Sequence, residues 1–131
     1  MIIEWTPELT VNNEQLDKQH QQWIKLLDDF YEGIKQGKPK EELEKLIMGM
    51  LDYTRYHFKE EEQHMQRIGY PNLEKHKALH AEYIQKIEDY HERMMSGRLI
   101  LSLEVTGYLK TWLINHIKGV DQQYADFNEK H

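Results

Sequence analysis

The sequence contains no cysteine. Disulfide bonds, iron–sulfur clusters and thiolate zinc sites are therefore excluded together, and any metal ion has to be held by nitrogen and oxygen ligands. Basic residues are also in the minority, and the formal net charge is −6 at pH 7. This charge argues against a nucleic-acid partner, because such a partner needs a basic surface.

Long apolar runs and targeting signals are missing as well. No stretch is long enough to span a bilayer, and the start of the chain lacks the basic region and apolar core of a secretory signal. We therefore expect a cytoplasmic protein without a membrane span. The chain has 131 residues, which we interpret as a single domain over residues 1–131.

Strand-like alternation, internal repeats and low-complexity segments are absent too, whereas helical periodicity covers most of the chain. Apolar residues recur every three or four positions, and breakers such as Gly37-Lys38-Pro39 and Gly69-Tyr70-Pro71 separate the periodic segments. Short turns between amphipathic helices imply antiparallel neighbours. The sequence predicts an all-α, up-down-up-down antiparallel four-helix bundle, with an N-terminal arm over residues 1–12 and helices over about 13–36, 40–68, 73–95 and 101–118. Tyr124 and Phe127 are expected to anchor a polar tail.

The sequence has eight histidines, and several fall on the apolar faces of these helices. His57 and Glu61 are four residues apart, as are His76 and His80, so each pair shares one face of its helix. Counting from each turn at about 1.5 Å per residue brings the candidates to one level of the bundle. We therefore expect seven metal ligands to meet: His20, His57, Glu61, His76, His80, His116 and Asp121.

Asp121 requires a separate argument. It follows His116 by five residues, and on a regular helix it would point about 140° away from it. It can reach the same site only if the helix ends or unwinds between the two residues. Gly119 offers such a break, so we predict that the fourth helix ends there and that the backbone is disrupted over residues 118–121.

The chemistry of the set favours two metal ions. Five imidazoles and two carboxylates are too many for one ion that must also react, but they suit two ions bridged by both carboxylates. Imidazole and carboxylate ligands without thiolate fit iron, manganese, zinc or copper. If one ion takes three histidines and the other takes two, one coordination position stays open. On a redox-active iron pair inside an apolar bundle, such a position is suited to dioxygen.

The remaining polar residues near the set have simpler interpretations. The run over 59–62 is expected to be mostly a solvated face, with only Glu61 in register with the apolar stripe. His64, His91 and His131 are expected at the solvent or at the rim of the bundle, because they do not share the level and face of the seven candidates.

The sequence also contains the motifs of a rival metal site. Glu61-x-x-His64 and Glu88-x-x-His91 both match the Glu-x-x-His signature of ferritin-like di-iron proteins. The two motifs lie at different distances from the second turn, a mismatch of about 16 Å along the bundle. They also lie on consecutive helices, whereas that fold needs a helix between its repeated motifs. We therefore reject an iron oxidase or storage protein of that type.

Together, the ligand motifs closely resemble those of hemerythrins, the non-haem di-iron proteins that bind oxygen. The resemblance runs from residue 5 to about residue 121, and the length looks like that of the single-domain bacterial form. It is carried by His20, His57-Phe-x-x-Glu61-Glu62, His76-x-x-x-His80 and Trp112-Leu113-x-x-His116-Ile117-x-x-x-Asp121.

This resemblance implies roles for the ligands. His76, His80 and His116 are expected to hold one iron, and His20 and His57 the other, which keeps the open position for dioxygen. Glu61 and Asp121 are expected to bridge the two irons together with an oxo or hydroxo group. The candidates for the ligand pocket are Trp23, Ile24, Trp112 and Ile114.

The expected function is reversible dioxygen binding for storage, transport or delivery, without enzymatic turnover. One alternative is an oxygen sensor that acts through a partner protein. Another is a di-iron enzyme, such as a peroxidase or a nitric-oxide- or iron-handling protein, although no acid or base beyond the ligands is evident near the open iron. Expected partners are dioxygen and an oxygen-consuming protein. We expect a monomer, because the charged surface shows no obvious apolar patch.

Overall fold

The computed structural model describes residues 5–97 and 103–130, and within these ranges the chain is helical and contains no strand. The predicted all-α four-helix bundle is confirmed. None of the described helices combines the length and apolarity that a membrane span requires. In chain order the elements are a 3₁₀ turn over Pro7–Leu9, α1 over Glu14–Lys35, α2 over Lys40–Arg67, α3 over Leu73–Met95, α4 over Leu103–Asn115, a π-helical segment over His116–Asp121, and α5 over Gln122–Lys130.

The arm is tied to the start of α1 by polar side chains. Asn13 caps this helix, and its side chain accepts a hydrogen bond from the backbone N–H of Leu16 at 3.1 Å. One turn further on, Asp17 accepts the backbone N–H of Val11 at 2.9 Å and the hydroxyl of Thr10. The arm therefore runs against the bundle, and its half-buried Trp5 packs against the core.

The first two connections are short because glycines close the helices before them. Gly37 and Gly69 have φ of 66° and 73°, a left-handed conformation that costs glycine little. After Gly37, the N–H of Lys38 bonds to the carbonyl of Gly33 at 3.0 Å, which is the Schellman arrangement. Asn72 occupies the N-cap position of α3, but its side chain makes no capping hydrogen bond.

The predicted end of the fourth helix at residue 118 is also wrong, and the predicted start at residue 101 lies outside the described residues. α4 ends at Asn115, and the chain continues through the π segment directly into α5. Gly119 is not among the glycines with positive φ, so it does not break the helix. The backbone is disturbed near the predicted place, but it is widened rather than ended. The polar tail is helical, and its Tyr124 is buried.

Two apolar clusters fill the bundle. The larger contains Trp23 on α1 and Phe58 on α2, and the smaller contains Leu16 on α1, Met65 on α2 and Tyr124 on α5. On α1 the residues between the two clusters include His20, and on α2 they include Glu61. The candidate ligands therefore lie in a polar layer that is closed by apolar side chains above and below.

We expect Gly119→Ala to raise the free energy of unfolding by about 0.5–1 kcal/mol, since alanine is the better helix former. A Cβ at residue 119 would meet no atom within 4 Å. Urea denaturation measures the change. As a control, Gly69→Ala should destabilise the protein by about 1 kcal/mol, because its φ of 73° is left-handed. Equal destabilisation by both substitutions would contradict this account of the π segment.

Candidate metal centre

The structure brings all seven predicted ligands together in the interior, and each is at most 3% exposed. Their ligand atoms form two overlapping groups, and within each group all atoms lie within 4.8 Å of one another. The three-histidine group consists of Glu61, His76, His80, His116 and Asp121, and the two-histidine group consists of His20, His57 and Glu61.

In the three-histidine group the Nε2 atoms point at one small volume. The Nε2 atom of His116 lies 3.0 Å from that of His76 and 3.1 Å from that of His80. Glu61 Oε1 lies 2.9 Å from His80 Nε2, and Asp121 Oδ1 lies 3.0 Å from the Nε2 atoms of His76 and His116. Five donor atoms from α2, α3 and the π segment thus surround one point.

The other oxygen of each carboxylate faces the histidines of the two-histidine group. Glu61 Oε2 lies 3.2 Å from His20 Nε2 and 3.3 Å from His57 Nε2. Asp121 Oδ2 lies 3.2 Å from His20 Nε2. Each carboxylate therefore faces one group with one oxygen and the other group with its second oxygen, which is the placement that a bridging ligand needs.

Asp121 reaches this volume through the π segment. The hydrogen-bond pattern of a π-helix joins residues five apart, so a residue and its fifth successor lie one above the other. His116 and Asp121 are the first and last residues of the segment, and their ligand atoms are 3.0 Å apart. The widened turn brings the carboxylate back to the face that a regular helix would turn away from the site.

The carboxylates hold positive charge at the site. Burial alone would lower the pKa of His20, but its close contacts with Asp121 and Glu61, and their negative charge, raise it to about 9. Burial also acts to lower the pKa of His116, and the charge of Asp121 raises it to about 10. For Asp121, burial and the charge of Glu61 raise the pKa, but the contacts with His116 and His20 hold it well below its ordinary value. The carboxylates thus favour positive charge at the point where cations would bind.

Several buried atoms fit a pair of bound cations. His57 Nε2, Glu61 Oε1 and both oxygens of Asp121 have no hydrogen-bond partner. A buried polar atom left in this state costs about 1–3 kcal/mol, and such exceptions point to an ion or water that takes the lone pairs. Nitrogen and oxygen donors without sulfur suit iron among other first-row metals. The residues present therefore fit a di-iron centre.

Three residues next to the ligands were missed as functional residues by the sequence reasoning. Gln19 Oε1 lies 2.8 Å from His57 Nδ1, and Glu62 Oε2 lies 2.8 Å from His80 Nδ1. Glu62 ends the run that was expected to be mostly solvated, but its side chain is 25% exposed and faces His80 on the neighbouring helix. The available signal was its position beside a ligand.

Tyr124 is the third of these residues. It is buried, as a tail anchor should be, but its hydroxyl also donates to Glu61 Oε2 at 3.0 Å. Its position three residues after Asp121, on the same helical face, was the available signal.

Aromatic rings cover the histidines. Phe58 stacks on His80 with a centroid distance of 3.7 Å, and Trp112 stacks on His116 at 4.4 Å. Trp23 lies 5.3 Å from the ring of His57. Of the four predicted pocket residues, Trp23 thus lies beside the two-histidine group and Trp112 beside the three-histidine group. Of the other two, Ile24 belongs to the larger apolar cluster, and Ile114 packs against that cluster.

The other described histidines lie outside both groups. His64 is half-buried and meets the ring of Tyr124 edge-on at 5.6 Å. His91 Nε2 lies 3.4 Å from Glu44 Oε2, on the rim. Glu88 of the rejected motif pairs with Arg55 at 2.9 Å and belongs to neither group. His131 lies outside the described residues.

Known proteins share this arrangement. The family model described as the hemerythrin HHE cation binding domain matches residues 11–127. A bacteriohemerythrin of Stenotrophomonas maltophilia is 32% identical over 130 residues, which cover 99% of this chain and 84% of the relative. A bacteriohemerythrin of Pseudomonas aeruginosa is 30% identical over 122 residues, which cover 93% of this chain and 78% of the relative.

The likeness extends to a solved structure. The crystal structure of a wild-type hemerythrin matches with a TM-score of 0.90 at 28% identity, and the match covers 96% of this chain and 97% of the other. The matched family region contains every ligand candidate from His20 to Asp121. On this evidence the chain belongs to the hemerythrin family.

Proposed function

We propose that this protein binds dioxygen reversibly at a non-haem di-iron centre and so stores, carries or delivers it. The observation that carries the proposal is the convergence of seven buried nitrogen and oxygen donors in two overlapping groups. Membership of the hemerythrin family supports iron as the metal.

In this proposal each group would hold one iron, and an oxo or hydroxo group would complete the iron pair. When bound, the iron pair supplies the electrons for the reversible capture of dioxygen. His20 and His57 are the histidines of one iron, and Glu61 and Asp121 serve both. The histidines of the other iron are His76, His80 and His116.

Neighbouring residues orient the imidazoles. A ligating histidine donates its second ring N–H to an oxygen acceptor, which sets the tautomer and the ring direction. Gln19 and Glu62 are these acceptors for His57 and His80. Tyr124 donates to Glu61 and so limits the rotation of the shared carboxylate. The donor atoms are therefore held in place before any metal arrives.

The surrounding core keeps water away from the donors. His20, His57 and Glu61 are fully buried. Trp23 lies beside the ring of His20, and Phe58 lies beside the ring of His57. A dry, low-dielectric site strengthens the electrostatic interactions inside it and limits side reactions with solvent. Reversible binding needs such protection.

The neighbours of the centre favour binding over turnover. Burial, and then the charges of Glu61 and Asp121, raise the pKa of Tyr124 well above its ordinary value, so it acts as a neutral donor. Gln19 has no ionisable group, and Glu62 is engaged by His80. Among the described residues that contact the donors, none is therefore free to act as a general acid or base. Experiments have to distinguish this function from two alternatives. One is an oxygen sensor that needs a partner, and the other is a di-iron enzyme with peroxidase or nitric-oxide chemistry.

Reconstitution with ferrous iron under anaerobic conditions is expected to give two irons per chain. Addition of oxygen should then produce visible charge-transfer absorption, and removal of oxygen should abolish it. Metal analysis and absorption spectroscopy follow both steps. One iron or fewer per chain would overturn the site, while irreversible oxidation, or turnover with peroxide or nitric oxide, would favour the sensor or enzyme alternatives.

His57→Ala is expected to reduce the iron content to about one per chain and to abolish oxygen binding, because the two-histidine group keeps only one nitrogen. His91→Ala is the matched control, since His91 lies on the rim beside Glu44, and it should retain both irons. Metal analysis and oxygen difference spectra give the result. Normal iron content and oxygen affinity in His57→Ala would refute the assignment of this ligand.

Glu62→Ala is expected to weaken metal binding by about 10–100-fold, since loss of an acceptor behind a ligating histidine has that typical cost. Competition with a chelator during zinc loading measures the affinity without oxygen chemistry. Glu60→Ala, which removes a neighbouring glutamate that contacts Gln15 instead, should change little. Similar losses in both variants would mean that surface charge, rather than the contact with His80, sets the affinity.

A further inference from the structure

Trp23 carries a hydrogen-bond donor with no acceptor. The residue is fully buried, and its Nε1 atom has no hydrogen-bond partner. Buried tryptophans usually find a partner for this N–H group, so an orphaned one points to a ligand, ion or water that completes it. Its ring neighbours in the core, Phe58 and Tyr83, stand almost perpendicular to it at 5.3 and 5.7 Å.

The position of Trp23 links this donor to one half of the metal centre. It follows His20 by three residues on α1, so the two side chains share a helix face. Its ring lies 5.3 Å from that of His57 and 6.3 Å from that of His20. It therefore contacts both imidazoles of the two-histidine group, whereas Trp112 stacks on His116 of the three-histidine group.

The two groups differ in how many donors they contain. Glu61 belongs to both groups, and Asp121 of the three-histidine group also lies 3.2 Å from His20, but one group has three imidazoles and the other two. The ion in the two-histidine group is therefore the one with room for an external ligand. A small ligand that enters there lies among apolar rings, where Trp23 supplies an unused N–H group.

We propose that the indole N–H of Trp23 donates a hydrogen bond to the small ligand that occupies the two-histidine group. The ligand class is a diatomic or linear triatomic molecule whose outer atom carries negative charge in the bound state, such as dioxygen or azide. A hydrogen bond to a charged acceptor in a dry site is stronger than a neutral one. Trp23 thus strengthens binding of this class and slows its release. The inference rests on the proposed function.

Azide binding to the oxidised, iron-loaded protein tests the donor. Trp23→Phe should weaken azide binding about tenfold or more, because it removes a hydrogen bond to a charged group. The loss should lie in faster dissociation, and the stretching frequency of bound azide should shift in the infrared. Trp5→Phe is the matched control, because Trp5 is a half-buried tryptophan on the arm, and it should leave both quantities unchanged.

A purely steric role for Trp23 gives the opposite result. Phenylalanine is smaller, so azide would then enter faster and bind equally well or more tightly. A donor directed into the face of Phe58 would leave the azide frequency unchanged in Trp23→Phe. Either result overturns the inference.

A second measurement does not depend on the folding of a core variant. Wild-type protein refolded in heavy water carries N–D at Trp23, and the band of bound azide should move relative to protein in light water. An unmoved band overturns the inference. Wild-type protein that takes up no iron overturns the proposed function and this inference with it. Normal azide binding by the wild type, with identical binding by Trp23→Phe, overturns the role of Trp23 alone.

Discussion

The burial of two carboxylates in a dry layer is the constraint on which this structure depends. Glu61 and Asp121 are fully removed from solvent, and the loss of hydration is several kcal/mol for each charge unless partners compensate it. Five imidazoles provide those partners, and metal ions would complete them. The glycine-closed turns, the capped start of α1 and the π segment all serve to deliver these partners to one level. The apolar clusters on both sides keep that level dry.

Much of this arrangement could be predicted from the sequence because helices convert spacing into direction. His57 with Glu61, and His76 with His80, lie four residues apart, and the glycine turns set the level of each helix. The position of Asp121 in the site was also predicted, but through a helix end that does not exist. A π turn depends on one residue more than a regular turn accommodates, and no residue type in the segment announces it.

The hydrogen-bond partners of the ligating histidines could not be predicted from the sequence, for a different reason. Gln19 and Glu62 reach histidines on the neighbouring helix, so their role depends on how far apart two helices pack and how they are rotated. Their types are also common on solvated faces. The two acceptors differ in charge, since an amide oxygen supports His57 and a carboxylate supports His80. A carboxylate acceptor makes an imidazole the more basic ligand, so the two halves of the centre differ electronically as well as in their donor count.

The π segment also acts on residues that follow it. Inserting one residue advances the helical phase by about 100°, so α5 presents a different face to the core than an unbroken continuation of α4 would. Tyr124, one turn beyond Asp121, faces Glu61 because of this shift. The same backbone irregularity therefore positions a ligand and a hydrogen-bond donor to another ligand. If the six residues from His116 to Asp121 formed a regular α-helix instead, both groups would turn away from the site at once, which makes the widened backbone of this segment as much a part of the centre as its side chains.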